Sequence, residues 1–209
     1  MVDRPDKLRE QKLIRRAQKG DSEAFGVLYT LYLDSIYRYV YYRVDRAATA
    51  EDLTGEVFVR AWEALPSYKV QASPFKSWLY RIAHNLVIDH HRRQSPITID
   101  DEILQRVPAP SAPLEQDVLN RQNTEALMEA VKQLDEEEQQ VVILRFVEGL
   151  PHKKVAETIG KSEETSRVIQ HRALRHLQRA LARHDPLSYA SHESEHTPVL
   201  KLALADNLG

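Results

Sequence analysis

The chain predicts an all-α protein of two helical domains joined by a flexible linker, and three features carry that expectation. Apolar residues recur at steps of three and four in one segment after another, while strand-like alternation is scarce. Helix-starting and helix-ending residues bracket those segments. A proline-bearing stretch without sustained period then separates a first block, residues 8–94, from a second, residues 114–184.

Leu13, Ile14 and Ala17 open an amphipathic helix that Gly20 can end, because glycine takes the left-handed conformation without steric cost. Asp21 can cap a longer helix, rich in tyrosine and leucine, that runs to Arg43. Thr49 with Asp52 three residues on resembles a capping box, starting a third helix through Trp62 and Leu65. Ser73 and Pro74 supply an N-cap and a first-turn proline for a fourth helix over residues 74–93. The expected core of this block is Leu28, Leu31, Ile36, Val40, Leu53, Val57, Trp62, Trp78, Leu79 and Ile82.

Residues 95–113 carry four prolines and the acidic run Asp100, Asp101, Glu102, which reads as a linker. The second block opens near Leu114, and Asp135 with Glu138 marks the start of an apolar helix over residues 139–147. Residues 185–209, with two prolines and a short apolar run from Val199 to Leu204, read as a mobile tail, with a docking peptide as the alternative.

Composition narrows the function classes. With 42% hydrophobic and 29% charged residues, the 209-residue chain is ordinary for a soluble folded protein. No apolar run approaches the roughly 18 residues of a membrane span, and the charged start MVDRPDKLREQK lacks a signal-peptide core. The expected place is therefore the cytoplasm, without membrane insertion. Zero cysteines exclude disulfides, thiol redox sensing and cysteine-ligated zinc. A net charge of −2 means that any nucleic-acid contact depends on local basic patches.

One such patch lies in VAETIGKSEETSRVIQHRALRHL, residues 155–177. Val155, Ala156 and Ile159 share one face of a short helix, Gly160 can end it, and Ser162 can cap the next. Ser166, Ile169, Ala173 and Leu177 form an inward stripe, leaving Arg167, His171, Arg172 and Arg175 outside. This is the sequence form of a DNA-reading helix-turn-helix, although an ordinary helical hairpin with a solvated basic face has the same pattern.

AEDLTGEVFVRAW (residues 50–62), PFKSWLYRIAHNLVIDHHRR (residues 74–93) and the helix-turn-helix follow in this order around the proline-rich joint. Together they resemble the extracytoplasmic-function sigma factors of bacterial RNA polymerase. The resemblance implies that the first block binds the polymerase clamp and melts the promoter −10 element. It implies that the second block reads the −35 element and that the linker enters the polymerase cleft. The implied partners are core RNA polymerase, promoter DNA and an anti-sigma protein, with no cofactor, no metal and no catalysis by the chain itself.

By this resemblance Asp52, Leu53, Glu56, Val57 and Phe58 meet the clamp helices, although dipole stabilisation and core packing account for part of that stretch. Gly55 stands where the family often has glutamine, and a mid-helix glycine costs about 1 kcal/mol relative to alanine. For the −10 element the candidates are Lys76, Arg81, Asn85, Arg92 and Arg93. Tyr68 and Lys69 join them in the loop before the helix, where an unstacked base is captured. For the −35 element, Arg167 and His171 lie one turn apart, where side chains reach major-groove bases. Lys153, Lys154, Lys161, Arg172 and Arg175 suit phosphates or pairing with nearby glutamates, and Ser162 and Thr165 suit a phosphate at the helix N-terminus. Glu164 replaces a glycine and Ser166 an apolar residue common in the family, so base preference cannot be carried over.

Two other classes compete. His84, Asp89, His90 and His91 are metal-ligating types, but His90 is rotated about 100° from His91 on the helix, and no second cluster completes a site. A stand-alone helix-turn-helix regulator explains residues 155–177 equally well and leaves residues 50–62 and 74–93 without a role.

Overall fold

The computed structural model describes residues 7–69, 73–94 and 126–184, and all regular structure among them is helical. The first block holds α1 (Lys7–Ala17), α2 (Ser22–Tyr41), α3 (Ala47–Ala64), a 3₁₀ turn (Leu65–Ser67) and α4 (Phe75–Gln94). The second holds α5 (residues 126–132), α6 (Glu136–Val142), a π turn (Ile143–Val147), α7 (His152–Ile159) and α8 (Glu163–His184). The expected linker over residues 95–113 and tail over residues 185–209 lie outside the described residues.

Gly20, at φ +89°, turns the chain after α1, and Asp21 caps α2 by accepting from the Ala24 amide at 3.0 Å. The expected capping box at Thr49 is not used. Helix α3 begins three residues earlier, at Ala47, with Arg46 at the N-cap and the Ala50 amide donating to the Arg46 carbonyl. Ser73 likewise does not cap α4: its hydroxyl accepts from Arg81, and the Trp78 amide donates to the Pro74 carbonyl as the helix starts at Phe75.

Leu28, Ile36, Val40, Leu53, Val57 and Leu79 lie in the core as expected, joined by Tyr39, Phe75 and Tyr80. Leu31, Trp62, Trp78 and Ile82 are half-buried at its edge. Beneath α4, the buried Arg43 donates to the Tyr39 hydroxyl at 2.7 Å and lies 2.9 Å from His84 Nδ1. Its Nε and second terminal nitrogen find no hydrogen-bond partner among the described residues. Burial, reinforced by the Arg43 charge, pushes the His84 pKa down to about 4, so the neutral ring accepts from the guanidinium. His91 Nε2 lies 2.8 Å from the Arg43 carbonyl oxygen, so both histidines turn toward Arg43 rather than toward a shared ion.

In the second block Asp135 caps α6, accepting from the Glu138 amide at 2.8 Å. The Glu138 side chain does not return to the cap. It is fully buried, and its two oxygens meet Arg172 Nε at 2.5 Å and His176 Nδ1 at 2.8 Å, tying α6 to α8.

The blocks pack through α4 against α7 and through α2 against the π turn. At their junction the carboxylate of Glu148, with its side chain 1% exposed, takes Arg38 Nε at 3.1 Å, Lys76 Nζ at 3.0 Å and the Tyr80 hydroxyl at 2.7 Å. Burial raises the Glu148 pKa, but Lys76, the Tyr80 hydrogen bond and Arg38 outweigh it and hold the group below the usual range. The Thr158 hydroxyl donates to Ser77 Oγ at 3.0 Å, and Lys132 pairs with Asp45 at 2.9 Å.

Candidate nucleic-acid interface

The helix-turn-helix forms as its punctuation dictates. Gly160 takes φ +69° and ψ 31° at the end of α7, a conformation that costs a side-chain-bearing residue about 1–2 kcal/mol. Ser162 accepts from the Thr165 amide at 3.1 Å and starts α8. Ser166, Ile169, Ala173 and Leu177 are all buried, so the opposite face of α8 is presented outward. The polar Ser166 fits this stripe because its hydroxyl lies 3.1 Å from His152 Nδ1. Burial, with Arg145 and Arg167 nearby, lowers the His152 pKa and favours the neutral ring in that contact. Arg145, which sequence reasoning passed over, donates to the Gln170 side chain at 3.0 Å and to the Leu150 carbonyl, fixing the tilt of α8 against the turn before α7.

Arg167, His171 and Arg175 are exposed on that outward face, with Arg167 held at 2.6 Å by Glu163 one turn earlier. Glu164 is exposed beside them. Lys153 is exposed, whereas Lys154 pairs with Glu157 at 2.8 Å and Lys161 with Glu137 at 2.6 Å. Arg172 departs from the expectation of a phosphate contact. Its guanidinium is engaged by the buried Glu138 and by Asp135 at 2.9 Å, which makes it a strut between α6 and α8.

In the first block Arg81, Asn85, Arg92 and Arg93 stand exposed along α4, and Lys69 is exposed before it. Asn85 and Arg81 line a cleft of ≈ 240 Å³ with His84, and its other wall is Gln140, Thr158, Ile159 and Gly160 of the second block. Two −10 candidates lie elsewhere. Tyr68 is 7% exposed, packs on Phe75 and Trp78 and donates to the Ser73 carbonyl, while burial pushes its pKa up to about 12, so it supports the loop from inside. Lys76 is committed to Glu148 at the block junction. Residues 70–72 of the loop lie outside the described residues.

The polymerase-contact candidates also divide. Asp52 is exposed and Glu56 half-exposed on α3, beside an exposed Val59. Leu53, Val57 and Phe58 face inward and build the core, with Phe58 edge-on to Tyr29 at 4.6 Å. The alternation of a carboxylate with apolar residues marked an amphipathic helix, and its apolar members stay inside the block. Gly55 is exposed with open space around it, so no packing demand explains a glycine there.

Residues 28–97 match the family model Sigma-70 region 2, and residues 130–179 match Sigma-70, region 4. The chain is 41% identical to the ECF RNA polymerase sigma factor BldN of Streptomyces coelicolor, over 84% of this chain and 67% of BldN. It is 32% identical to the ECF RNA polymerase sigma factor ShbA of Streptomyces griseus, over 81% of this chain and 93% of ShbA. The chain belongs to the extracytoplasmic-function sigma factors. Among solved structures the fold is shared with CnrH in complex with the cytosolic domain of CnrY, at 22% identity and a TM-score of 0.64, covering 85% of this chain and 99% of that one. It is also shared with the sigma factor RpoE of Bartonella quintana in complex with the anti-sigma factor NepR, at 22% identity and a TM-score of 0.58, covering 75% of this chain and 96% of that one.

As an ECF sigma factor, the protein directs core RNA polymerase to specific promoters and initiates DNA-templated transcription. The match through region 2 sets aside the stand-alone helix-turn-helix regulator. Among the described residues of the sigma factor, no helix is long and apolar enough to cross a membrane.

Proposed function

We propose that residues 8–94 dock on the polymerase through the exposed side of α3, with Asp52 and Glu56 as its charged contacts, and capture the −10 strand along α4. Asn85 offers an amide to an unstacked base, while Lys69, Arg81, Arg92 and Arg93 neutralise phosphates. Residues 114–184 place α8 in the −35 major groove, with Arg167 and His171 toward bases and Lys153 and Arg175 toward the backbone. The observation that carries this reading is the division of α8 into a buried stripe and an outward basic face. The sigma factor supplies binding and geometry rather than a reaction of its own, and it works in the cytoplasm alongside polymerase and chromosome. An anti-sigma protein is the further partner implied by the family.

Two weak DNA contacts fixed to one polymerase act as a bivalent binder, so each matters more in the holoenzyme than alone. Because the Asn85 cleft is walled by the second block, strand capture there requires the blocks to part. The test is permanganate footprinting of open complexes beside a polymerase-binding assay. Asn85→Ala is expected to reduce strand opening while leaving polymerase affinity unchanged, and equal opening by this variant would overturn the role of Asn85.

A further inference from the structure

Val168 is 65% exposed and is the only exposed large hydrophobic residue among the described residues of the second block. A lone exposed valine is ordinary on a protein surface. Its position is what sets this one apart. On an α-helix, residues 164, 168, 171 and 175 fall within about 60° of one another, so Val168 sits along the centre of the outward face of α8. Arg167, His171 and Arg175 surround it together with the Glu164 carboxylate, all exposed, and among the described residues of this block no other exposed large apolar side chain accompanies it. That setting does not suit an apolar protein surface, which would desolvate the neighbouring charged groups. It suits a polyanion carrying small, isolated apolar groups.

Duplex DNA is such a polyanion, and the thymine C5-methyl is the apolar group that its major groove displays. We infer that Val168 is a specificity-determining residue that reads a thymine methyl group in the −35 element, through van der Waals contact between the valine methyls and C5-methyl. The inference rests on the reading of α8 as the −35 helix and adds to it the chemical identity of one recognised base. Nothing on the inner side of α8 calls for a valine at this position, since the packing stripe is complete with Ser166, Ile169, Ala173 and Leu177.

The experiment uses holoenzyme assembled from core polymerase and the full chain. Selection from promoter duplexes randomised over the −35 region first yields the preferred sequence. Each thymine in that duplex is then replaced singly by deoxyuridine, which removes the methyl and preserves base pairing. Burying one methyl-sized group is worth a factor of about three to five in affinity. The expected result is a loss of that size at one thymine with the wild-type chain and no loss at the same position with Val168→Ala. Preferences that depend on Arg167 should be kept by the Val168 variant, and its thermal midpoint should not move.

A selected −35 sequence without a required thymine, no loss at any uracil, or the same loss with Val168→Ala would each overturn the assignment. Failure to enrich any −35 sequence, with −10 selectivity intact, would instead overturn the placement of α8 on which the assignment rests.

Discussion

Glu148 and Lys76 stand 72 residues apart in the chain, yet Oε2 and Nζ meet at 3.0 Å across the junction of the two helical blocks. Arg38 and Tyr80 complete the same carboxylate, so one side chain of the second block gathers three donors from α2 and α4. Losing one partner of a buried pair costs about 3–5 kcal/mol. With the Lys76 and Arg38 side chains still 17% and 29% exposed, water can solvate them, and Glu148→Ala should fall toward the lower end, about 3 kcal/mol. Urea unfolding should report this loss, and small-angle scattering should show a larger radius of gyration as the blocks separate. An unchanged radius would contradict the pairing.

Acid should weaken the fold through His84. Its folded pKa of about 4 lies below the ordinary 6.5, so the unfolded chain binds the proton more readily. Stability therefore rises with pH between about 4 and 6.5 and receives no further contribution from this group above that window. Glu148 acts in the same direction: its lowered pKa contributes stability at neutral pH that is lost as the carboxylate protonates. The melting temperature of wild type should fall more between pH 7 and pH 5 than that of His84→Gln. Parallel profiles would remove His84 from the account.

Arg172 and Arg175 look alike in sequence and should behave differently. Arg172→Ala strips the buried Glu138 of one partner and should lower the melting temperature. Arg175→Ala should leave stability unchanged and reduce the salt dependence of duplex binding by the holoenzyme by about one unit of slope. Thermal melts and salt titrations of both variants separate the roles, and the reverse pattern would exchange them.

Gly160→Ala forces a side chain into a left-handed turn with otherwise open space around it. The expected destabilisation is about 1–2 kcal/mol from backbone strain alone. Chemical denaturation measures it, and a loss under a few tenths of a kcal/mol would mean that the turn relaxes without strain.

The helices were legible where local chemistry sets them. Gly20, Asp21, Gly160 and Ser162 act within a few residues of themselves, and the α8 stripe follows from period alone. The Thr49 box failed because α3 starts at Ala47, where the preceding Val44 is already buried and fixes the entry of the chain. Leu53, Val57 and Phe58 show a second limit. An apolar stripe beside carboxylates fits a docking face and a core face equally, and only the packed neighbours decide. The buried roles of Arg43, Glu138 and Glu148 were not legible. Each is a buried polar group satisfied wholly or partly by residues distant in sequence, and hydrophobic periodicity carries no trace of such partners.

The most direct test of the sigma-factor account is co-elution of the purified chain with bacterial core RNA polymerase on a sizing column. An Asp52→Arg/Glu56→Arg variant, altered only at α3 side chains that reach the surface, serves as the control. A stoichiometric complex that the variant cannot form is the expected result. A folded, inhibitor-free chain that never enters the polymerase peak would contradict it.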